Sequence, residues 1–93
     1  MGMTAPYAHA IEAIVFIDED GDWALTLNDA NGDEIKTIVP LPISESALFD
    51  EALDVVRPTL EMHGLRYRSP SAWRGAGSMW TAAVYASPPA AND

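Results

Sequence analysis

The sequence predicts one small α+β domain: a single, mainly antiparallel sheet with one helix packed on one of its faces, in the order β-β-β-α-β-β. The chain has 93 residues, which is the size of one domain. Short alternating or β-branched segments lie on both sides of a single stretch with helical periodicity. Neither end continues such a pattern, so we expect the folded part to span residues 8–86, with flexible tails at 1–7 and 87–93.

The first two strands are predicted from the spacing of apolar side chains. Residues 8–17 are rich in β-branched and aromatic side chains, and both alternating sets are mainly apolar, which is typical of a central strand covered on both faces. An acidic turn follows at residues 18–22. Trp23, Leu25 and Leu27 then alternate with smaller or polar residues, which predicts a half-buried second strand.

The second hairpin is expected to turn through a three-residue loop, Ala30-Asn31-Gly32, with Gly32 in the left-handed conformation. A two-residue Asn-Gly loop would instead place Leu27 opposite Lys36 and mix apolar with charged positions. The predicted pairs are Leu27 with Ile35, Leu25 with Thr37, and Trp23 with Val39. Prolines at positions 40 and 42 should end the third strand, because proline donates no ladder hydrogen bond.

An amphipathic helix is predicted after these prolines. Ser44 or Ser46 is the expected N-cap, and Gly64 is the expected stop. Pro58 lies inside the periodic stretch and predicts a kink or a break into two short helices. The apolar stripe that should pack on the sheet comprises Phe49, Leu53, Val56 and Leu60, with Leu48 and Ala52 beside it.

Charge and composition restrict the classes of function. The net charge is −9, from 14 Asp and Glu against 5 Lys and Arg, so we expect neither direct binding to nucleic acid nor binding to anionic membranes. Because the chain has no cysteine, it has neither a disulfide framework nor a thiolate nucleophile, and no apolar run is long enough to cross a membrane. A cytoplasmic protein is therefore expected.

Candidate catalytic and metal-binding groups do not form a known arrangement. The acidic turn at residues 18–22 resembles the start of a calcium loop, but Trp23 stands where such loops need glycine and the closing glutamate is absent. His9 and His63 have no neighbouring serine or aspartate that would define a nucleophile with its base. We therefore predict a protein that is not an enzyme and has no catalytic residues, no cofactor and no metal.

The segment after the helix contains the last two predicted strands, at residues 65–68 and 79–86, with a loop over 69–78 between them. It also holds three of the four Arg and two of the three Trp. Arginine and large aromatic side chains dominate the binding energy of protein interfaces. The predicted binding residues are Arg66, Tyr67, Arg68, Trp73, Arg74 and Trp80.

A structural explanation of the same residues stays open. In that case Tyr67 and Trp80 fill the core and Trp73 covers a loop. The arginines would then project from the solvent face of a strand and pair with the many acids.

The second face of the sheet provides a further argument. One helix covers one face only, whereas the first strand is apolar on both sides. Large exposed apolar patches are rare in small proteins, so we expect a partner or a second copy to cover the other face, with homodimerisation as the leading prediction.

The sequence therefore favours a noncatalytic protein-binding module: an inhibitor, adaptor or accessory factor of bacterial or phage type, whose partner is another protein. The alternative is an acidic decoy that mimics nucleic acid and blocks a nucleic-acid-binding protein. In a decoy, the acids of the two turns and of the helix would take the place of phosphates.

Overall fold

A computed structural model, which describes residues 7–86, confirms the predicted α+β class. A mainly antiparallel sheet carries one helix on one face, and a second sheet of two short strands lies beside it. The strands are β1 (Glu12–Ile17), β2 (Trp23–Asn28), β3 (Glu34–Ile38), β4 (Leu65–Arg66), β5 (Arg74–Ala76), β6 (Met79–Ala83) and β7 (Tyr85–Ala86). The helix is α1 (Phe49–Met62), and a short 3₁₀ turn spans Pro70–Ala72.

The main sheet has five strands in the order β3-β2-β1-β6-β5. The first strand is therefore central, as predicted, because it pairs antiparallel with both β2 and β6. The last predicted strand is divided at Val84, whose N–H donates to the carbonyl of Ile11 (3.0 Å). Beyond that point β7 leaves the main sheet and pairs with β4. The predicted loop over 69–78 also contains a strand, β5, at the sheet edge.

The register of the second hairpin differs from the prediction. The three-residue loop is present, with Gly32 at φ +81°, but Ile35 is an extra residue that shifts the pairing by one. The predicted pairs Leu27 with Ile35, Leu25 with Thr37, and Trp23 with Val39 are therefore wrong. The observed pairs are Leu27 with Lys36, Thr26 with Thr37, and Leu25 with Ile38.

The bulge at Ile35 has a physical reason. It allows both Ile35 and Ile38 to pack against the core, which an unbroken alternation would not permit. It also places Thr37 beside Thr26, where the two hydroxyl oxygens lie 2.8 Å apart. As predicted, β3 ends before the prolines.

The two hairpin turns have the same pattern of hydrogen bonds. In the first, Oδ1 of Asp18 accepts the backbone N–H groups of Asp20 and Asp22, both at 2.9 Å. In the second, Oδ1 of Asp29 accepts hydrogen bonds from the backbone N–H groups of the residues two and four positions later, at 2.9 and 3.0 Å. Each turn also has a glycine with positive φ at its fourth position. The aspartate that opens each turn thus stabilises the turn.

The helix begins later than predicted. Its N-cap is Leu48, so the expected caps Ser44 and Ser46 are wrong. These serines form a separate turn, in which the Ser46 N–H donates to Oγ of Ser44 (3.3 Å). Oε1 of Glu51 accepts the Leu48 N–H at 2.8 Å and so satisfies a donor at the start of α1.

The helix continues through Pro58 to Met62, so the predicted break into two helices does not occur. Gly64 adopts φ +74° and ends the helix as predicted. The predicted apolar stripe is confirmed at Leu53, Val56 and Leu60, which are buried. Across residues 7–86, no helix combines the length and the apolar character that crossing a bilayer requires.

The core lies between α1 and one face of the main sheet. It includes Val15, Leu25 and Leu27 from the sheet, all fully buried. Tyr7, which the sequence placed in the first tail, packs against this core, and its ring centroid lies 5.1 Å from that of His63. The remaining tail residues, 1–6 and 87–93, lie outside the described residues.

The other face of the main sheet, which we call the open face, is only partly apolar. Its apolar side chains Ile14, Phe16 and Met79 do not belong to the core cluster. The pairing aligns them in cross-strand rows. One row is apolar and contains Ala24, Phe16, Met79 and Ala76. The next is mainly threonine and contains Thr37, Thr26, Ile14, Thr81 and Arg74.

Candidate functional site

The six predicted binding residues separate into core and surface. Trp73 is buried, with 8% of its surface exposed, and Trp80 is half-buried against the core. Tyr67 is also half-buried, whereas Arg66, Arg68 and Arg74 are exposed. The structural explanation thus holds for Trp80, whereas Trp73 lies in the core rather than over a loop. The surface that remains consists of arginines and Tyr67.

The buried aromatic residues form a continuous chain of ring contacts. Trp23 stacks on Trp80 at 5.7 Å between centroids, and Trp80 stacks on Phe49 at 4.4 Å. Phe49 meets Trp73 edge-on at 5.6 Å, and Trp73 meets Tyr67 edge-on at 5.3 Å. Offset-stacked and edge-to-face pairs are both favourable. This series of ring contacts runs from the sheet to the surface. It ends at Tyr67, whose ring is held in place by its packing against Trp73.

Where this series of aromatic contacts ends, Tyr67 lines a groove, which we call the Arg groove. The groove lies between α1 and the small β4–β7 sheet, is partly open to solvent, and has a volume of about 490 Å³. Its lining residues are Arg57, Glu61, Arg66, Tyr67, Arg68, Ser69, Pro70 and Tyr85. The groove therefore brings together Arg66, Tyr67 and Arg68, but neither Arg74 nor the two tryptophans.

The charge of the Arg groove is opposite to that of the whole protein. Three of the 5 basic residues line it, together with one of the 14 acids, Glu61. Arg57 Nε lies 3.6 Å from a carboxylate oxygen of Glu61. Within residues 7–86, neither Arg66 nor Arg68 forms an ion pair. Among the described residues, the groove thus presents two arginines that no carboxylate pairs with.

Two tyrosines contribute to the Arg groove, one through a contact with Arg66 and the other through its hydroxyl group. The guanidinium carbon of Arg66 lies 5.3 Å from the ring centroid of Tyr85, within the range of a cation–π interaction. Burial raises the pKa of the Tyr67 hydroxyl above its usual value of 10.0, and the nearby Arg57 opposes this effect more weakly. Tyr67 is therefore a neutral hydrogen-bond donor at physiological pH.

The indole N–H of Trp73 lies behind Tyr67. It is buried and has no hydrogen-bond partner among the described residues. It is near enough to the Tyr67 hydroxyl to lower the pKa of that group slightly, but the geometry is not that of a hydrogen bond. Because Trp73 is buried, is not part of the groove lining and packs edge-on against Tyr67, it supports the groove rather than forming its surface.

Arg74 lies elsewhere, on the edge strand β5 of the main sheet. It pairs with Thr81 and therefore projects on the open face. A shallow depression there also contains Glu12 and Asp29. Arg74 is thus separate from the other predicted arginines, although it is close to them in sequence.

Sequence reasoning missed five groove residues, of which three are charged or aromatic: Arg57, Glu61 and Tyr85. The first two are spaced by four on the exposed side of α1, a helical pattern that could have revealed their pairing. No such signal exists for Tyr85, because the pairing of β4 with β7 involves only two residues on each strand.

The acidic turn at residues 18–22 brings three carboxylates together. One oxygen each from Asp18, Asp20 and Asp22 lies within 4.8 Å of the others. However, the turn at residues 29–33 has the same backbone hydrogen bonds with Asn31 in place of one acid. The turn geometry therefore has an explanation that does not involve a cation.

The two histidines do not form a site with each other. His9 is exposed near the start of the described chain. Nδ1 of His63 lies 2.7 Å from the carbonyl oxygen of Thr59, just after the end of α1. His63 therefore satisfies a terminal helix carbonyl.

Comparisons with protein-family models, curated proteins and solved structures find no match to this chain.

Proposed function

We propose that this chain is a noncatalytic protein-binding module, of the inhibitor, adaptor or accessory-factor type, and that it binds its protein partner through the Arg groove. The observation that carries this proposal is the convergence of Arg57, Arg66 and Arg68 with two tyrosines in one open groove of an otherwise acidic protein. Trp73 contributes by packing edge-on against Tyr67, and Trp80 contributes indirectly through Phe49, which contacts Trp73.

The chemistry of the groove is suited to binding. Arginine and tyrosine supply large contact areas and several directed hydrogen bonds, and they are enriched among the residues that dominate interface energies. Their support matters as well, because a partner loses less affinity when the side chains it contacts are already ordered. Tyr67 is held by Trp73, and Arg66 lies over Tyr85.

The ionisable groups of the groove are poorly suited to acid–base catalysis. Guanidinium groups remain protonated in proteins and do not exchange protons during a reaction. Glu61, the one carboxylate in the lining, is already close to Arg57. These groups can hold an anionic surface in place, which supports a binding role.

The decoy alternative finds less support in the arrangement of the acids. A decoy needs spaced rows of carboxylates on one surface. The acidic turns at residues 18–22 and 29–33 lie at opposite ends of β2, and the acids Asp50, Glu51 and Asp54 lie on the helix. The acids are therefore distributed over several sides of the molecule.

The test is affinity capture from the source cells with three forms of the protein: wild type, the groove variant Arg66→Glu/Arg68→Glu, and the control Lys36→Glu/Arg74→Glu. Both variants carry the same net charge, but the control changes the two basic residues outside the groove. Circular dichroism should show that both fold. Trp73 is left intact, because its burial would confuse a loss of binding with a loss of structure.

We expect one partner to be retained by the wild type and the control and lost with the groove variant. The same partner, once purified, should bind the wild type directly in a defined ratio. Equal retention by all three forms, or no direct binding of any purified candidate, would refute the proposal.

A further inference from the structure

We infer that the Arg groove receives a short, extended, acidic segment of a partner protein, whose carboxylates bind Arg66, Arg68 and Arg57. This inference rests on the proposed function and adds the chemical class of the bound segment. It is carried by the charge of the groove, the placement of its arginines and its open shape.

Charge complementarity favours a ligand with few negative charges. The groove attracts anions locally, but the whole protein repels them, because its net charge is −9. Repulsion over the whole surface increases with the charge of the ligand, so it acts most strongly against a long polyanion such as nucleic acid. A peptide segment with two or three carboxylates gains the local attraction and experiences much less of the repulsion.

The placement of the arginines suits carboxylates. The guanidinium carbon of Arg66 lies 5.3 Å from the ring centroid of Tyr85, and a guanidinium has five N–H donors that can form paired hydrogen bonds to one carboxylate. Arg57 is already near Glu61, and at 3.6 Å this contact is long. A second carboxylate from a ligand can therefore share Arg57. The neutral hydroxyl of Tyr67 can donate one more hydrogen bond.

The shape favours an extended segment over a small metabolite. Small-molecule sites usually enclose most of the ligand surface, whereas this groove is only partly enclosed and lies between a helix and a small sheet. In an extended peptide every second side chain points the same way, about 6 to 7 Å apart. Alternate acidic residues would therefore all face the groove.

The test uses a synthetic peptide of alternating glutamate and alanine, blocked at both ends, together with the same peptide carrying glutamine in place of glutamate. Binding is followed by NMR titration of the isotopically labelled protein, which measures weak affinities and locates the contacts. The protein forms are again wild type, Arg66→Glu/Arg68→Glu and Lys36→Glu/Arg74→Glu.

We expect the glutamate peptide to shift the signals of residues 66–68 and of Tyr85. Its affinity for Arg66→Glu/Arg68→Glu should be at least about 25-fold lower than for wild type, because each arginine contributes roughly fivefold or more and the reversed charges repel the peptide. The control variant should keep an affinity within about threefold of wild type. Affinity should also decrease between about 50 and 200 mM salt, and the glutamine peptide should not bind.

Several outcomes would overturn the inference. These are equal binding of the two peptides, shifts located outside the groove, or tighter binding of a single-stranded oligonucleotide at the same site. If the glutamate peptide fails while the purified partner still binds and depends on Arg66 and Arg68, the acidic-segment inference alone is wrong. If the purified partner also binds the Arg66→Glu/Arg68→Glu variant as tightly as the wild type, the proposed function is wrong as well.

Discussion

At the scale of single residues, Tyr67 connects the hydrophobic core to the Arg groove, and its ionisation gives a test of that position. Burial raises the pKa of its hydroxyl above 10.0 in the folded protein. An unfolded tyrosine therefore loses its proton at lower pH than Tyr67 does. The stability that comes from keeping Tyr67 neutral is fully present below about pH 10 and is lost as pH rises through the folded-state pKa.

We expect the variant Tyr67→Phe to lose less stability than the wild type above about pH 10, because phenylalanine cannot ionise. The measurement is the urea midpoint of unfolding at a series of alkaline pH values. Tyr85→Phe is the control, since Tyr85 is exposed, and it should lose stability as the wild type does. The same alkaline decline in Tyr67→Phe would show that another group causes it.

The residue types of the groove could be predicted from the sequence, but their locations could not. Arg66, Tyr67 and Arg68 are adjacent in the chain and lie in one groove. Trp73 and Trp80 have the same interface-like composition, yet they pack in the aromatic chain. Tryptophan stabilises both protein cores and binding interfaces by burying the large apolar surface of its side chain. Composition alone therefore does not distinguish a core tryptophan from an interface tryptophan.

At the scale of the elements, the β5–β6 hairpin depends on Gly75. This residue lies opposite Trp80, at φ +143°, and a Cβ there would meet the carbonyl oxygen of Met79 and come within 2.9 Å of the Trp80 Cα. We expect Gly75→Ala to reduce the free energy of unfolding by more than about 2 kcal/mol, because backbone atoms of β6 would have to move. Urea denaturation measures this loss.

Gly32→Ala is the matched control for this variant. Gly32 also has positive φ, at +81°, but no heavy atom lies within 4 Å of an added Cβ. Only the backbone penalty applies, so the expected loss is about 1 kcal/mol. Equal losses in the two variants would mean that the close approach of β6 does not determine the effect.

The elements themselves were predicted where their patterns are long. The strands β1 and β2 and the apolar stripe of α1 each extend over five or more residues and were correctly located. The prediction that β2 is half-buried was wrong, because Ala24 and Thr26 on its other face are buried as well, with 1% and 8% of their surface exposed. The bulge at Ile35 was not predicted, because one extra residue reverses the alternation on which register predictions depend. The strands β4 and β7 have two residues each, too few to show a period.

At the scale of the whole molecule, the apolar row on the open face predicts that two copies of the chain associate. Within the described residues, Phe16 and Met79 lie outside the core, and Met79 has 54% of its surface exposed. Packing two such rows against each other would remove Phe16 and Met79 from water, whereas Ala24 in the same row is already buried. The adjacent threonine row reduces the apolar area, so we expect a weak dimer, with a dissociation constant of about micromolar order.

Sedimentation velocity at high micromolar concentration tests this association. The wild type should sediment as a dimer, and Met79→Glu should weaken the dimer at least about tenfold, because it would bury a charge. Met62→Glu, on the helix and 83% exposed, makes the same change on the other side of the sheet and should leave the dimer intact. A monomeric wild type at this concentration would exclude the dimer.

The central position of β1 has a consequence for how the protein is made. One neighbour of β1 is the next strand in the chain, but the other is β6, which follows β3, the helix, β4 and β5. A nascent chain on the ribosome therefore exposes one unpaired edge of its most apolar strand until β6 has been synthesised. During that interval, chaperones or a neighbouring polysome product can occupy the edge, so translation speed between β2 and β6 should influence the yield of native protein.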